Sequence, residues 1–432
     1  MQESKRTALI WLRNDLRITD HYGFYNASKN CDRAIAYYTF DPKQFRQTPW
    51  GFKKTGKYRL QFLIETLEQL KSDLLKKNIS LVIDNKNPEK GIPKLIDAFR
   101  ITDIYYQKEW TQEEQITTDT LKKNISDKIL VHSFYDQFLY HPDDLPIEIE
   151  NLPEVFTVFR KKCEKSVTIR SCFNSIQPFP IENTLLHEDK IPSLEDFNFL
   201  PFEKNQQTAF PFIGGSKSGK QRIDHYFWET EKISTYKHTR NGLIGEDYSS
   251  KLSAWLANGS LSAREIYWEI KSFEKEKKKN QSTYWLVFEL IWRDFFKYIS
   301  LKHGNKIFKI GGILDKNYNW NTDKKKLQSW IDGSTDESFV NANMIELLKT
   351  GWMSNRGRQN VASYFAKELL MDWRMGAAYF ESQLIDYDVH SNYGNWMYIS
   401  GVGNDPRDRK FDISWQAQKY DSQNKFQKLW LK

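Results

Sequence analysis

Two stretches decide how this chain is read: Thr350-Gly-Trp-Met-Ser-Asn-Arg-Gly-Arg-Gln-Asn360 and Asp386-Tyr-Asp-Val-His-Ser-Asn-Tyr-Gly-Asn-Trp396. They place two arginines, two aspartates and several asparagines in a region otherwise written as buried helix. Polar groups on core-like helices are costly unless a partner satisfies them. A buried charge without a counter-charge is prohibitive, so a mutual salt bridge between Arg358 and Asp386 is the expected solution. Taken alone, such a pair ties two helices together.

The rest of the chain sets the frame. At 432 residues it is too long for one core and suits two or three domains. Hydrophobic residues make up 39%, which excludes a disordered chain. Aromatics reach 15%, which suits stacking on planar ligands and equally suits a heavy aromatic core. The formal charge of +8 favours a polyanionic partner, although a Lys-rich composition alone produces the same sign. Cys31, Cys163 and Cys172 show no CxxC or zinc spacing, so a reduced compartment is expected, with neither structural disulfides nor a metal site. Met1 to Arg6 leads straight into a strand with no signal peptide, and no run of about eighteen apolar residues exists to span a membrane. A cytoplasmic, monomeric protein is the expectation.

Residues 1–135 alternate strands and helices. Thr7–Leu12, Arg33–Phe40, Ile79–Asp84, Ile101–Gln107 and Lys128–Tyr135 read as strands, and Leu60, Ile64, Leu67, Leu70 and Leu74 form one helical stripe. The pattern predicts a doubly wound, five-stranded parallel sheet. No GxGxxG follows the first strand. Residues 136–213 are Pro-rich and irregular and read as a surface connector with a helix over Val155–Glu164. Gly214-Gly-Ser-Lys-Ser-Gly219 lacks P-loop spacing and reads as a flexible junction. Residues 214–432 are helical, with a capping box at Ser262-Ala-Arg-Glu265 and a helix over Tyr284–Tyr298.

Three further groups of residues carry chemistry. Asp247-Tyr-Ser-Ser-Lys-Leu-Ser253 precedes the helical Ala254-Trp-Leu-Ala, where serines either cap the helix or, with Lys251, hold a phosphate. Glu289, Trp292 and Arg293 stand at i, i+3 and i+4 on one helical face, a spacing that usually means a solvated salt bridge. Trp320, Trp373 and Trp396 are ordinary core residues on spacing alone.

These motifs resemble the photolyase/cryptochrome family nearly end to end, and the resemblance implies FAD as cofactor. In that family the residues matching Ser249, Ser250, Lys251 and Ser253, with Tyr236 upstream, hold the pyrophosphate; lysine at 251 replaces a common arginine. The resemblance also implies that Arg358 and Asp386 lie against the isoalloxazine, that Asp388 contacts the ring edge and that Asn392 faces N5. Trp396, Trp373 and Trp320 match the indole chain that, in the family, carries electrons to the flavin. It implies further that Glu289 hydrogen-bonds a damaged pyrimidine pair, that Trp292 packs on it and that Asn355 lies opposite. Arg240 and Arg293 join as DNA contacts.

Gln359 and Tyr398 stand where many photolyases have Met and Trp, and both resemble the cryptochrome DASH branch. Thr239-Arg-Asn-Gly-Leu-Ile-Gly245 and Gly401-Val-Gly-Asn-Asp-Pro406 do likewise. The branch implies light-driven repair of cyclobutane pyrimidine dimers, mainly in single-stranded or looped DNA, by electron transfer from excited reduced FAD. RNA is a second candidate partner. The alternative is a blue-light photoreceptor or regulatory nucleic-acid binder with little repair activity; the absence of a long tail after the helical region favours the enzyme. Tyr106-Gln-Lys-Glu-Trp-Thr-Gln-Glu-Glu114 aligns with the segment that holds 5,10-methenyltetrahydrofolate as antenna, with Glu113 the candidate contact and Trp110 unusual. Asp336, Ser338, Asn341 and Ile345 depart from the family pattern and suggest a looser turn; Thr19 and His21 depart near the N-terminus.

Overall fold

Strands buried on both faces carry apolar residues at successive positions, because each neighbour points into a different layer. In the computed structural model, which describes residues 5–186 and 189–432, Ala8 and Ile10 face one core while Leu9 and Trp11 face the other. The strands are Thr7–Trp11 (β1), Arg33–Thr39 (β2), Leu81–Asp84 (β3), Asp103–Gln107 (β4) and Leu130–Phe134 (β5). All pair in parallel in the order β3-β2-β1-β4-β5, and helices dominate from Ser216 onward, as the sequence predicts. The reading of Met1 to Arg6 falls outside the described residues for its first four positions. Strand order reverses about β1, so a crevice is expected at the C-terminal ends of β1 and its neighbours.

The helix Lys57–Leu75 belongs to both halves. Leu60, Ile64, Leu67, Leu70 and Leu74 pack on the sheet, while Phe62 meets Trp255 of the helical region at 5.9 Å. Thr66 Oγ1 accepts from Asn258 Nδ2 at 2.9 Å and from the Gly215 amide at 3.0 Å. The Gly214 amide donates to Glu65 at 2.7 Å. These bonds correct the reading of Gly214–Gly219 as a flexible junction. A Cβ on Gly214 would lie 2.1 Å from the Phe62 carbonyl oxygen, so the glycine permits backbone-to-backbone approach.

The connector also departs from expectation. It does not simply wrap the surface: Phe138, Leu139, Tyr140, Phe156, Phe159 and Phe210 are buried in the helical core, while Ile176, Phe179 and Leu194 enter the sheet core. Asp294 of the long helix Gln281–His303 accepts from the Leu139 amide at 2.9 Å and the Tyr140 amide at 2.7 Å, which anchors its start. The expected helix forms over Phe156–Ser166 and the capping box at Ser262 is present.

A buried ionic cluster joins the halves. Asp20 accepts from Arg264 Nε at 2.9 Å and Nη2 at 2.8 Å, and Arg264 also reaches Asp136 at 3.1 Å. His21, off-pattern in sequence, is absorbed structurally: Nε2 meets Asp15 at 3.0 Å, and Nδ1 caps the helix Tyr22–Asn30 by accepting from the Phe24 amide. The Asp20–Arg264 pair is nearly inaccessible to water, so removing one partner strands the other. Asp20→Asn is expected to lower the unfolding free energy by about 3–5 kcal/mol in denaturant titration.

Candidate functional site

Ser354 caps the helix Asn355–Ser363 by accepting from the Gly357 amide at 2.9 Å, and this sets Arg358 one turn in. Arg358 Nη2 donates to both oxygens of Asp386 at 2.9 and 3.0 Å, and Nε is held by the Met353 carbonyl at 2.9 Å. The expected salt bridge is therefore present. Ser253 Oγ donates to the same carboxylate at 2.6 Å, so three segments distant in sequence meet at one buried group.

Two residues on, Asp388 caps the helix Val389–Ser400 through the Ser391 amide at 2.8 Å and pairs with buried Lys297 at 2.7 Å. Burial raises the carboxyl's pKa, but the Lys297 ammonium outweighs that and holds it well below the usual range. Asn392, one turn further, donates Nδ2 to the Ala377 carbonyl at 2.9 Å. That orientation turns its Oδ1 away from the bond already made, as an acceptor for a ligand.

The 246–251 loop is built around Arg222. Its guanidinium donates to Asp247 at 2.7 Å and to the carbonyls of Glu246, Ser249 and Ser250. The N-cap of the short helix Ser253–Ala257 is Leu252, without a side-chain bond, so neither Ser249 nor Ser250 caps it. Lys251 adopts φ +63°, unusual for a residue with a Cβ. Its ammonium is buried with no hydrogen-bond partner, 3.2 Å from the Tyr248 ring centroid. Tyr236 is buried at the start of the helix Tyr236–Thr239, and Glu289 is among the charges acting on its phenol.

The three tryptophans grade from buried Trp396 and Trp373 to half-buried Trp320. Trp396 lies on Gly376 of the helix Trp373–Gln383; Trp373 opens that helix and donates to the Ile310 carbonyl at 2.9 Å. The Asp372 amide donates to the Asn321 carbonyl at 2.8 Å, which sets the Trp320 segment beside Trp373. Among the described residues, no ring of the three stacks on another.

On the long helix, Glu289 pairs with Arg240 at 2.6 Å and not with Arg293. Burial pushes the Glu289 carboxyl up, against the pull of Arg240. Arg293 instead donates to the carbonyls of Gln137 and Leu256, so the structure does not bring it to Glu289, and the solvated i,i+4 bridge is not formed. Trp292 stacks on Phe156 at 3.7 Å and meets Tyr398 edge-to-face at 6.1 Å. Arg356, beside Arg358, reaches Asn241 at 3.1 Å, so the 239–242 segment bridges Glu289 to the Asn355–Ser363 helix. Asn355 is exposed on that helix and Gln359 lies one turn on, its Oε1 without a partner.

A cavity of about 880 Å³ opens where the strand order reverses. Trp11, Thr39 and Gln107 from strand ends line it, with Asp388 and Lys297 across. Glu113 also lines it, held by Lys54 and by Arg46 at 2.9 Å. Trp110 stacks on His390 at 4.4 Å and donates to Ser300 at 2.7 Å, which explains an aromatic at that position as an interdomain contact.

Residues 8–181 match the family model for DNA photolyase, and residues 285–432 match the FAD binding domain of DNA photolyase. The cryptochrome DASH of Synechocystis sp. is 45% identical, with 100% of this chain and 88% of the relative covered. That of Xenopus laevis is 44% identical, covering 99% and 82%. The chain belongs to the cryptochrome DASH branch of the photolyase/cryptochrome family. The crystal structure of the Synechocystis cryptochrome superimposes with a TM-score of 0.95 at 44% identity, covering 100% of this chain and 89% of that one.

The residues present fit the flavin dinucleotide of that family. Lys251 has no hydrogen-bond or ion-pair partner, Asn392 retains an acceptor, and the Arg358–Asp386 pair is fixed by Ser253. Arg222, Lys297 and Glu346 were not singled out by the sequence reasoning. Lys297 and Glu346 do carry the signal that exposed Arg358, a charge inside an apolar helical run; Arg222 carries none. The suggested looser turn is corrected: Asn341 accepts from the Thr335 amide and hydroxyl at 2.9 and 2.7 Å and donates to its carbonyl at 2.7 Å. Trp396 depends on the glycine beneath it. A Cβ on Gly376 would lie 2.2 Å from the indole, so Gly376→Ala is expected to cost about 1–3 kcal/mol in thermal unfolding and to shift tryptophan fluorescence.

Proposed function

We propose that the protein repairs cyclobutane pyrimidine dimers under light, mainly in single-stranded or looped DNA. When bound, reduced FAD supplies the photoexcited electron that splits the cyclobutane ring. The observation that supports this most is the convergence of Arg358 and Ser253 on the buried Asp386 carboxylate, with the Asn392 acceptor on the next helix. Lys251, Ser249, Ser250, Ser253 and Tyr236 hold the dinucleotide in this reading. Arg358 stabilises negative charge on the ring system, and Asp388, fixed by Lys297, meets its edge.

On the substrate side, Trp292 and Tyr398 form an edge-to-face wall, and Glu289 and Asn355 read the pyrimidine edges. Gln359 and Arg240 complete the contacts; Arg293 orients the connector. Trp396, Trp373 and Trp320 conduct electrons inward. A phenol at 398, tethered by Arg409 at 3.0 Å, offers less stacking area than an indole. Less stacking offsets less of the unpairing needed to flip a lesion from a duplex. Within this reading residues 1–135 form the antenna domain, 136–213 the connector and 214–432 the FAD and lesion domain. Methenyltetrahydrofolate occupies the cavity beside Glu113, and the protein works as a cytoplasmic monomer. Among the described residues, no helix is long and apolar enough to cross a membrane.

The deciding experiment illuminates the reduced holoprotein with thymine-dimer oligonucleotides and follows the recovery of base absorbance. Restoration is expected in single strands and markedly slower in duplexes. Equal rates sink the strand preference, and no light-dependent recovery replaces the enzyme with the photoreceptor. Affinity for the single-stranded oligonucleotide is expected to fall steeply across a salt series, as phosphate contacts release counterions.

A further inference from the structure

Four ionisable groups face Lys251 from the elements packed on it: Arg222, Arg358, Asp386 and Glu346, with the Tyr248 ring against the ammonium. Three of these are already answered. Arg222 pairs with Asp247 at 2.7 Å, and Arg358 pairs with Asp386 at 2.9 Å. Lys251 and Glu346 are left over. Both are buried, the Lys251 nitrogen and both Glu346 carboxyl oxygens lack hydrogen-bond partners, and no ion pair joins the two.

Two opposite charges in an apolar site without contact gain little from each other and lose their hydration. The neutral amine and neutral acid are therefore the favoured forms, with one proton on the pair and that proton on Glu346. Burial pushes the Glu346 carboxyl up to about 8 and the Lys251 ammonium well below the usual lysine range, consistent with this arrangement.

We propose that binding of a pyrophosphate-bearing cofactor at Lys251 takes up one proton from solvent, with Glu346 remaining a neutral acid that keeps the lysine's counter-charge place free for the phosphate. This rests on the proposed placement of FAD. The pyrophosphate supplies the anion that Lys251 lacks, so the amine accepts a proton and becomes an ammonium. The same anion opposes ionisation of Glu346, so the proton enters from bulk water rather than from the neighbouring acid. Glu346 is a positioning residue in this scheme.

The test is calorimetric titration of FAD into the full-length apoprotein at about pH 7, in two buffers of different ionisation enthalpy. Uptake of about one proton per FAD is expected at neutral pH, with the dissociation constant rising about tenfold per pH unit there and more steeply once Glu346 ionises in the apoprotein. Lys251→Arg, permanently charged, is expected to bind without uptake. Glu346→Gln, which copies the neutral acid, is expected to retain uptake at neutral pH and to show a shallower alkaline decline. Equal proton counts of zero in wild type overturn the proposal alone. Loss of uptake in Glu346→Gln also overturns it, by moving the proton to the acid. Failure of FAD to bind at any pH overturns this and the cofactor placement together.

Discussion

The helical half of this protein depends on charges in its interior being answered by other charges held in fixed directions. Arg358 and Asp386 carry that constraint. Neither the Asn355–Ser363 helix nor the turn that carries Asp386 could keep its charge in an apolar setting alone, and each makes the other tolerable. Because Ser253 binds the same carboxylate, the loop after Arg222 is drawn to the same point. An ion pair that tied only two helices would not recruit a third segment.

Much of the architecture was legible because it repeats. The β1–β5 alternation shows in the chain as short apolar runs and the stripe on Lys57–Leu75 as a period of about three and a half, which announces a parallel sheet but not its strand order. Arg358 with Asp386 was legible for a different reason: charge amid apolar residues demands an explanation. The same reasoning stopped short at Lys297 and Glu346, which lie in equally apolar runs. Partner choice was not legible. The i,i+4 spacing of Glu289 and Arg293 suggested a local pair, whereas Glu289 pairs across a turn with Arg240, and Arg293 serves carbonyls. Irregular segments were least legible, since Phe138, Phe156 and Phe210 have no period to announce that they are buried.

The two halves are joined by directional polar contacts beside apolar ones such as Phe62 on Trp255. Arg264 with Asp20 and Asp136, and Trp110 with Ser300 and His390, are directional. Directional contacts fix the angle between the sheet and the helices, which an apolar interface would leave freer to slide. That angle decides how far Glu113 stands from Asp388 across the cavity, so the shape of the space between them is set by residues that touch neither group.

The unsatisfied polar atoms are informative by their location. Two buried arginines are saturated: Arg17 donates to three carbonyls and Arg222 to an aspartate and three carbonyls. The Lys251 loop and the Asn355–Ser363 helix hold open atoms. Lys251 Nζ, both Glu346 oxygens and Gln359 Oε1 have no protein partner. Open buried atoms occur in other parts of the chain as well, but a buried lysine with no partner is among the costliest of them and suits completion by another molecule. The open atoms near Lys251 include an amine without an anion, whereas Gln359 on the Asn355–Ser363 helix offers a neutral acceptor. In the proposed function the first suits a phosphate and the second a base edge.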